Sequence, residues 1–137
     1  MATPKKNDLK DRLGRYRQIT LSVIGRKSGR TISVPVWFVF DGSQLYLLPV
    51  RGSATQWYQN VLKNGAIWID ARGMRGKFHA IPVSDAQIVK SVIEKFREKY
   101  GVKDVKKYYS KFDVAVLVRL DRRPPRARAA ESSRQVT

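Results

Sequence analysis

Six residues, Gly25-Arg26-Lys27-Ser28-Gly29-Arg30, place three cations, a hydroxyl and two glycines between two β-type runs, 19–24 and 32–40. Glycine near each end of such a connection lets the backbone take positive φ and turn its N–H groups to one side. With Arg26, Lys27 and Arg30 around it, the turn is suited to hold a phosphate or a carboxylate. The same composition describes a solvated basic hairpin tip, and composition alone does not choose between the two. A second place that favours anions is Arg51-Gly52-Ser53, where a strand ends and a helix N-terminus follows.

Other chemistries are bounded tightly. The chain has no cysteine, which excludes disulfides, thiolate metal sites and thiol catalysis. His79 is the only histidine, so a Ser-His-Asp arrangement would have to run through it and no multi-histidine metal site can form within one chain. No metal is expected, and a lone histidine in a strand reads as packed or solvent-facing rather than catalytic. A length of 137 residues with 42% hydrophobic residues and three tryptophans describes one globular domain. The net charge is +17, and residues 18–121 hold seventeen Lys/Arg against eight Asp/Glu, which leaves +9 in the part expected to fold. A field of that sign attracts nucleic acid, anionic lipid or a polyanionic small molecule. No apolar run approaches the ~20 residues of a membrane span. The N-terminus, with Lys5, Lys6 and Asp8, lacks the apolar core of a signal peptide, so a soluble cytoplasmic protein is expected.

The positioning elements read as follows. Residues 1–17 form a basic arm or short helix in which Leu9 and Leu13, spaced i, i+4, could cover an open end of the domain. Residues 31–40 read as one strand whose second half is apolar at every position, as in a strand buried on both faces. Pro35 cannot donate to a ladder, which marks a bulge or leaves backbone groups for a ligand. Asp41-Gly42 predicts a hairpin with 44–50 as the returning strand. Ser53-Ala54-Thr55-Gln56 fits a capping box, opening a helix with Trp57 and Val61 on one face and Tyr58 and Leu62 on another. Asn64-Gly65 closes it with residues suited to left-handed conformation. Residues 66–71 and 74–83 form a hairpin across Arg72-Gly73.

A second capping box, Ser84-Asp85-Ala86-Gln87, opens a helix with Ile88, Val89, Val92, Ile93, Phe96 and Tyr100 on one side and Gly101 as its stop. A short basic helical segment, 103–110, carries Tyr108-Tyr109, and its 103–107 lysines read as a solvated face. Residues 114–120 form the last strand, and 122–137 a disordered basic tail. Trp37 and Trp68 read as core aromatics. About six mostly antiparallel strands with two to three helices make an α+β fold, and strands of this length can close into a small barrel over 18–121.

In this order, Gly25-Arg-Lys-Ser-Gly-Arg30, Pro35-Val36, Asp41-Gly42, Leu45-Tyr-Leu-Leu48, Arg51-Gly52 and Trp57-Tyr58-Gln59-Asn60 resemble the deazaflavin-dependent nitroreductase family. Its members are small split β-barrels related to the FMN-binding, pyridoxamine-phosphate-oxidase-like barrels. The resemblance is specific over 21–60, looser over 65–83 and architectural to 120. It implies an oxidoreductase that binds coenzyme F420, an 8-hydroxy-5-deazaflavin with a phosphate and a glutamyl tail. The reduced form gives a hydride from C5 to a small lipophilic acceptor such as a quinone, a nitro compound or an enone.

By that resemblance Arg26, Lys27, Ser28, Gly29 and Arg30 hold the phosphate and tail carboxylates, and backbone groups of Pro35, Val36 and Trp37 border the ring. Val50, Arg51 and Gly52 lie near ring and phosphate. Trp57 and Asn60 belong to the helix motif, in packing or in contact, and Tyr108 and Tyr109 face the acceptor. No catalytic side chain is implied; hydride transfer needs orientation, exclusion of water and tuning of the ring. Val50 departs from the family's small hydroxylated residue, which leaves FMN or a haem-derived tetrapyrrole open as the ligand. A homodimer is open, since related barrels commonly dimerise. The reading from another class is a basic module whose termini bind nucleic acid or an anionic membrane surface.

Overall fold

Alternation of polar and apolar residues builds β1 (Gln18–Ile24), which turns Ile19, Leu21 and Val23 inward. The structure, a computed structural model, describes Leu9 and residues 13–120. The basic tail and most of the N-terminal arm read from the sequence lie outside the described residues.

β1 pairs on one side with β2 (Thr31–Trp37) and on the other with β5 (Ala66–Ala71). β5 continues through a tight turn into β6 (Met74–Val83), with Arg72 at φ 56° and Gly73 at φ 95°, the left-handed pair that a two-residue hairpin requires. Residues 80–83 of β6 pair with β7 (Ala115–Arg119), which pairs with β4 (Gln44–Leu47), which pairs with β3 (Val39–Phe40). All pairs are antiparallel, and the order is β2-β1-β5-β6-β7-β4-β3. The first and last strands of that order are consecutive in the chain, separated only by Phe38, so the sheet curls on itself as a split barrel. β6 bridges the other side, with residues 74–79 against β5 and 80–83 against β7.

Leu21, Val23, Leu45, Leu47, Ile67, Ile69 and Val118 fill the barrel and are fully buried. Leu9 and Leu13 join this core, as their spacing implied. Helices among the described residues include α1 (Gln56–Lys63), α2 (Ala86–Tyr100) and α3 (Val102–Tyr108). α2 and α3 pack Val89, Val92, Phe96, Tyr100 and Val105 with Leu48 and Ala115 in a second apolar cluster. Each valine, leucine or phenylalanine side chain so removed from water contributes about 1.5–3 kcal/mol.

Several local expectations are corrected. The run 31–40 is two strands rather than one, which raises the count to seven, and β2 is an edge strand of exposed and half-buried residues, not one buried on both faces. The register runs through Pro35 without a bulge. Ser53 does not cap a helix: Gly52–Ala54 is a 3-10 turn, and Thr55 stands at the N-terminus of α1 with its hydroxyl accepting from Arg51 N (2.8 Å). Asp85, not Ser84, caps α2, accepting from Gln87 N (2.9 Å) and Ile88 N (3.1 Å). Asn64 ends α1 in extended conformation and accepts from Ala66 N, while Gly65 serves close packing, since a Cβ there would press on the His79 ring. Trp68 lies half-buried on the barrel's outside with Arg75 and Lys77 over its ring, and Trp37 is half-buried beside a cavity.

Candidate functional site: a cavity at the split of the barrel

Where the chain crosses from β2 to β3, the Phe38 backbone leaves the ladders of both. The Tyr100 hydroxyl at the end of α2 takes over: it accepts from Phe38 N (3.0 Å) and lies 2.7 Å from the carbonyl oxygens of Phe38 and Arg17, toward which its proton points. Lys99 Nζ donates to Phe38 O (2.8 Å) and Tyr16 O (3.2 Å). Burial pushes the Tyr100 hydroxyl up to about 12 against the opposing effects of Phe38 and Arg17. Burial and then the Arg17 charge bring the Lys99 ammonium down to about 8. The Tyr100 ring also stacks on Trp37, with centroids 4.2 Å apart and planes at 7°. Tyr108 meets Trp37 edge-on at 5.6 Å, and Tyr109 is tilted to it at 6.0 Å. Trp37 is thus held by three tyrosine rings.

Trp37 borders a cavity of about 530 Å³, within the usual size of small-molecule sites. Seven residues singled out in the sequence line it: Pro35, Val36, Trp37, Val50, Trp57, Tyr108 and Tyr109. Val34 lines it too. Side chains of consecutive strand residues point to opposite faces. Four in a row, 34–37, can border one cavity only if it meets the strand along its edge, and β2 has a neighbour on one side only. Backbone N–H and C=O groups of an unpaired edge therefore face the space. Burial, then the Tyr100 hydroxyl, hold the Tyr109 phenol well above its ordinary range, so that group stays protonated.

Five lining residues were not anticipated: Gln18, Val34, Leu48, Thr55 and Asp104. Hairpin register pairs Gln18 with Trp37, and Asp104 stands one helical turn before Tyr108, so both were within reach of register and spacing. Thr55 sits at the N-terminus of α1, whose first N–H groups favour negative charge.

The basic turn, 25–30, does not line the cavity; it is strapped to α1 beside it. Arg26 donates from N (3.0 Å) and Nη1 (2.7 Å) to Oδ1 of buried Asn60, and from Nη2 to Gln56 Oε1 (2.9 Å). Gly25 N, Gly29 N and Arg30 N bond to Arg30 O, Gly25 O and Ser28 Oγ. Four of the turn's six N–H groups are thus bonded, three within the turn and one to Asn60. Arg26, Ser28 and Asn60 build the turn, Gly29 supplies its positive φ (74°), and Lys27 and Arg30 are exposed charges on it. Gly52, at φ 55°, lies so close to Asp113 and Lys111 that a Cβ would collide with the carboxylate. Asp113 accepts from Ser53 Oγ (2.6 Å) and N (2.9 Å), and the Ser53 hydroxyl bond is the main cause holding its carboxyl below the usual range. Arg51 is exposed between Val50 and the 3-10 turn.

No group of three or more metal-ligating side chains is assembled among the described residues. No helix there is long and apolar enough to cross a membrane.

A family model described as "Uncharacterized protein conserved in bacteria (DUF2255)" matches residues 10–120. No curated protein matches the chain in sequence. Among solved structures, an F420-H2 dependent reductase (FDR-A) is 16% identical, with a TM-score of 0.58 over 74% of this chain and 93% of its own. HutZ, a heme storage protein from Vibrio cholerae, is 14% identical, with a TM-score of 0.62 over 85% of this chain and 89% of its own. A conserved hypothetical protein from Mycobacterium tuberculosis is 20% identical, with a TM-score of 0.61 over 87% and 79%. At such identities the likeness is one of fold.

Proposed function

The chain belongs to the bacterial DUF2255 family, and we propose that it is an oxidoreductase binding a deazaflavin, coenzyme F420, in the cavity at the split of its barrel. The reduced cofactor supplies a hydride for a small lipophilic acceptor. One observation carries the reading: the aromatic-lined cavity runs along the unpaired edge of β2, which offers backbone donors and acceptors to the heteroatoms of a flat ring.

The residues fit such a group. Trp37, Trp57 and Tyr109 supply flat walls, and Val36, Leu48 and Val50 add apolar surface for a ring to cover. The N-terminus of α1 with Arg51 is suited to a phosphate at the mouth. Lys27 and Arg30, on the turn that Arg26 straps to Gln56 and Asn60, extend the positive edge away from it. Two cationic places in sequence suit a phosphate followed by several carboxylates better than the single phosphate of FMN, and this favours F420 over FMN. A haem-derived ligand gains no histidine here, since His79 packs on Gly65 and does not line the cavity.

Calorimetric titration with intact F420 and with its chromophore lacking phosphate and tail tests the arrangement. Lys27→Ala with Arg30→Ala is expected to weaken intact F420 by about 1.5–3 kcal/mol per lost charged hydrogen bond and to leave the bare chromophore's affinity as it was. Equal affinity of the double variant for intact F420 would remove the turn from the site.

A further inference from the structure

Of the described residues lining the cavity, Asp104 alone carries a charge. It makes no hydrogen bond or ion pair with any described residue, although Lys103, Lys106 and Lys107 share its helix. It is partly buried, in the first turn of α3, where the helix dipole tolerates a carboxylate. One turn on lies Tyr108, on the same helix face, and its ring meets Trp37 edge-on. An unpaired carboxylate beside aromatic rings on a cavity wall is a recognition site for an organic cation, held by Coulomb attraction and by the Trp37 ring face that Tyr100 leaves free. Lys107 Nζ lies 5.2 Å from the Tyr108 centroid, and Lys103 and Lys106 flank Asp104, but all three are exposed and water weakens their repulsion of a bound cation.

Resting on the cofactor reading above, we infer that the acceptor is a flat cation, an iminium or N-heteroaromatic ring, which Asp104 selects over neutral rings. Such an acceptor gains the hydride at its ring carbon: a C–H bond forms, the C=N π pair moves onto nitrogen and the positive charge is extinguished. The two electrons come from the reduced cofactor, whose remaining N–H proton passes to solvent. The acceptor itself needs no proton, which suits a cavity with no histidine and a Tyr109 hydroxyl that keeps its proton. The neutral product loses its attraction to Asp104 and departs.

The test is calorimetric binding of N-methylquinolinium and of uncharged methylquinoline to the full chain at neutral pH, without cofactor. The wild type is expected to bind the cation at least tenfold more tightly, and Asp104→Asn to bring the ratio close to one. Asp113→Asn, which removes a carboxylate outside the cavity, keeps the ratio. Equal affinities in the wild type, binding of neither probe, or an unchanged ratio in Asp104→Asn would overturn the inference. Should Asp104→Asn fail to fold, the wild-type ratio decides alone. Because no cofactor is present, a failure of F420 to bind leaves this result standing, and an absent ratio leaves the cofactor reading standing.

Discussion

The Tyr100 hydroxyl lies 3.0 Å from the N–H and 2.7 Å from the C=O of Phe38, sixty-two residues away in sequence, and closes the gap that the β2–β3 crossing opens in the barrel. The same ring stacks on Trp37, so one side chain both repairs the backbone and sets a wall of the cavity. Tyr100→Phe keeps the ring and removes the repair. A buried backbone donor left without a partner costs about 1–3 kcal/mol, and urea unfolding monitored by circular dichroism should show a loss of that size. A change below the error of the measurement would mean that water substitutes for the hydroxyl.

Lys99 gives the same corner a pH dependence. Its folded value of about 8 lies below the ordinary 10.5, so between these values the unfolded chain binds more protons than the folded one. Stability from this group therefore rises with pH from about 8 to 10.5, and below 8 the cost of keeping the ammonium charged is present in full. Lys99→Met should flatten that rise relative to the wild type when unfolding free energies are compared across the window. Parallel curves for the two proteins would place the ammonium in ordinary solvent.

Arg26 and Asn60 should behave as one unit. Arg26→Ala removes the guanidinium's bonds to Asn60 and Gln56, Asn60→Ala removes both bonds to its Oδ1, and because the Nη1–Oδ1 bond is lost in either, their joint loss is not additive. A double-mutant cycle on unfolding free energy is expected to give a coupling of about 0.5–3 kcal/mol. Additive losses would make the contact incidental.

Much of the architecture could be read from sequence, and the misreadings have physical causes. The Arg72-Gly73 turn was legible because both residues take the left-handed conformation that a two-residue hairpin demands. Leu9 and Leu13 were legible by helical spacing. The run 31–40 misled because an edge strand facing an apolar cavity is as hydrophobic as a strand buried on both faces. The partners of Arg26 were not legible, because composition cannot show that Gln56 and Asn60, thirty and thirty-four residues later, accept from its guanidinium. Ser53 was taken for a helix cap because nothing local reveals its partner, Asp113, sixty residues on. Contacts of that reach are settled by the closing of the barrel and leave no trace in spacing.

Gly52 is the position where the backbone itself is diagnostic. Gly52→Ala must hold an L-residue at φ 55°, which costs roughly 1–2 kcal/mol, and must also displace Asp113 from Ser53. The expected outcome is a lowered melting temperature together with a weakened Ser53–Asp113 contact, visible as a rise in the Asp113 carboxyl's titration toward the ordinary range by NMR. An unshifted Asp113 would mean that the turn yields elsewhere.

The central claim, a deazaflavin held against Trp37 and Trp57, is met most directly by titrating the full chain with coenzyme F420 and, in parallel, FMN while following tryptophan fluorescence. Both indoles line the cavity, so a ring entering it must quench them. Saturable quenching by F420 with little response to FMN, reduced in a Trp37→Phe variant, is the result the account requires. Quenching by FMN alone would give the cavity to a flavin, and a flat response to both would contradict a ring site at the split of the barrel.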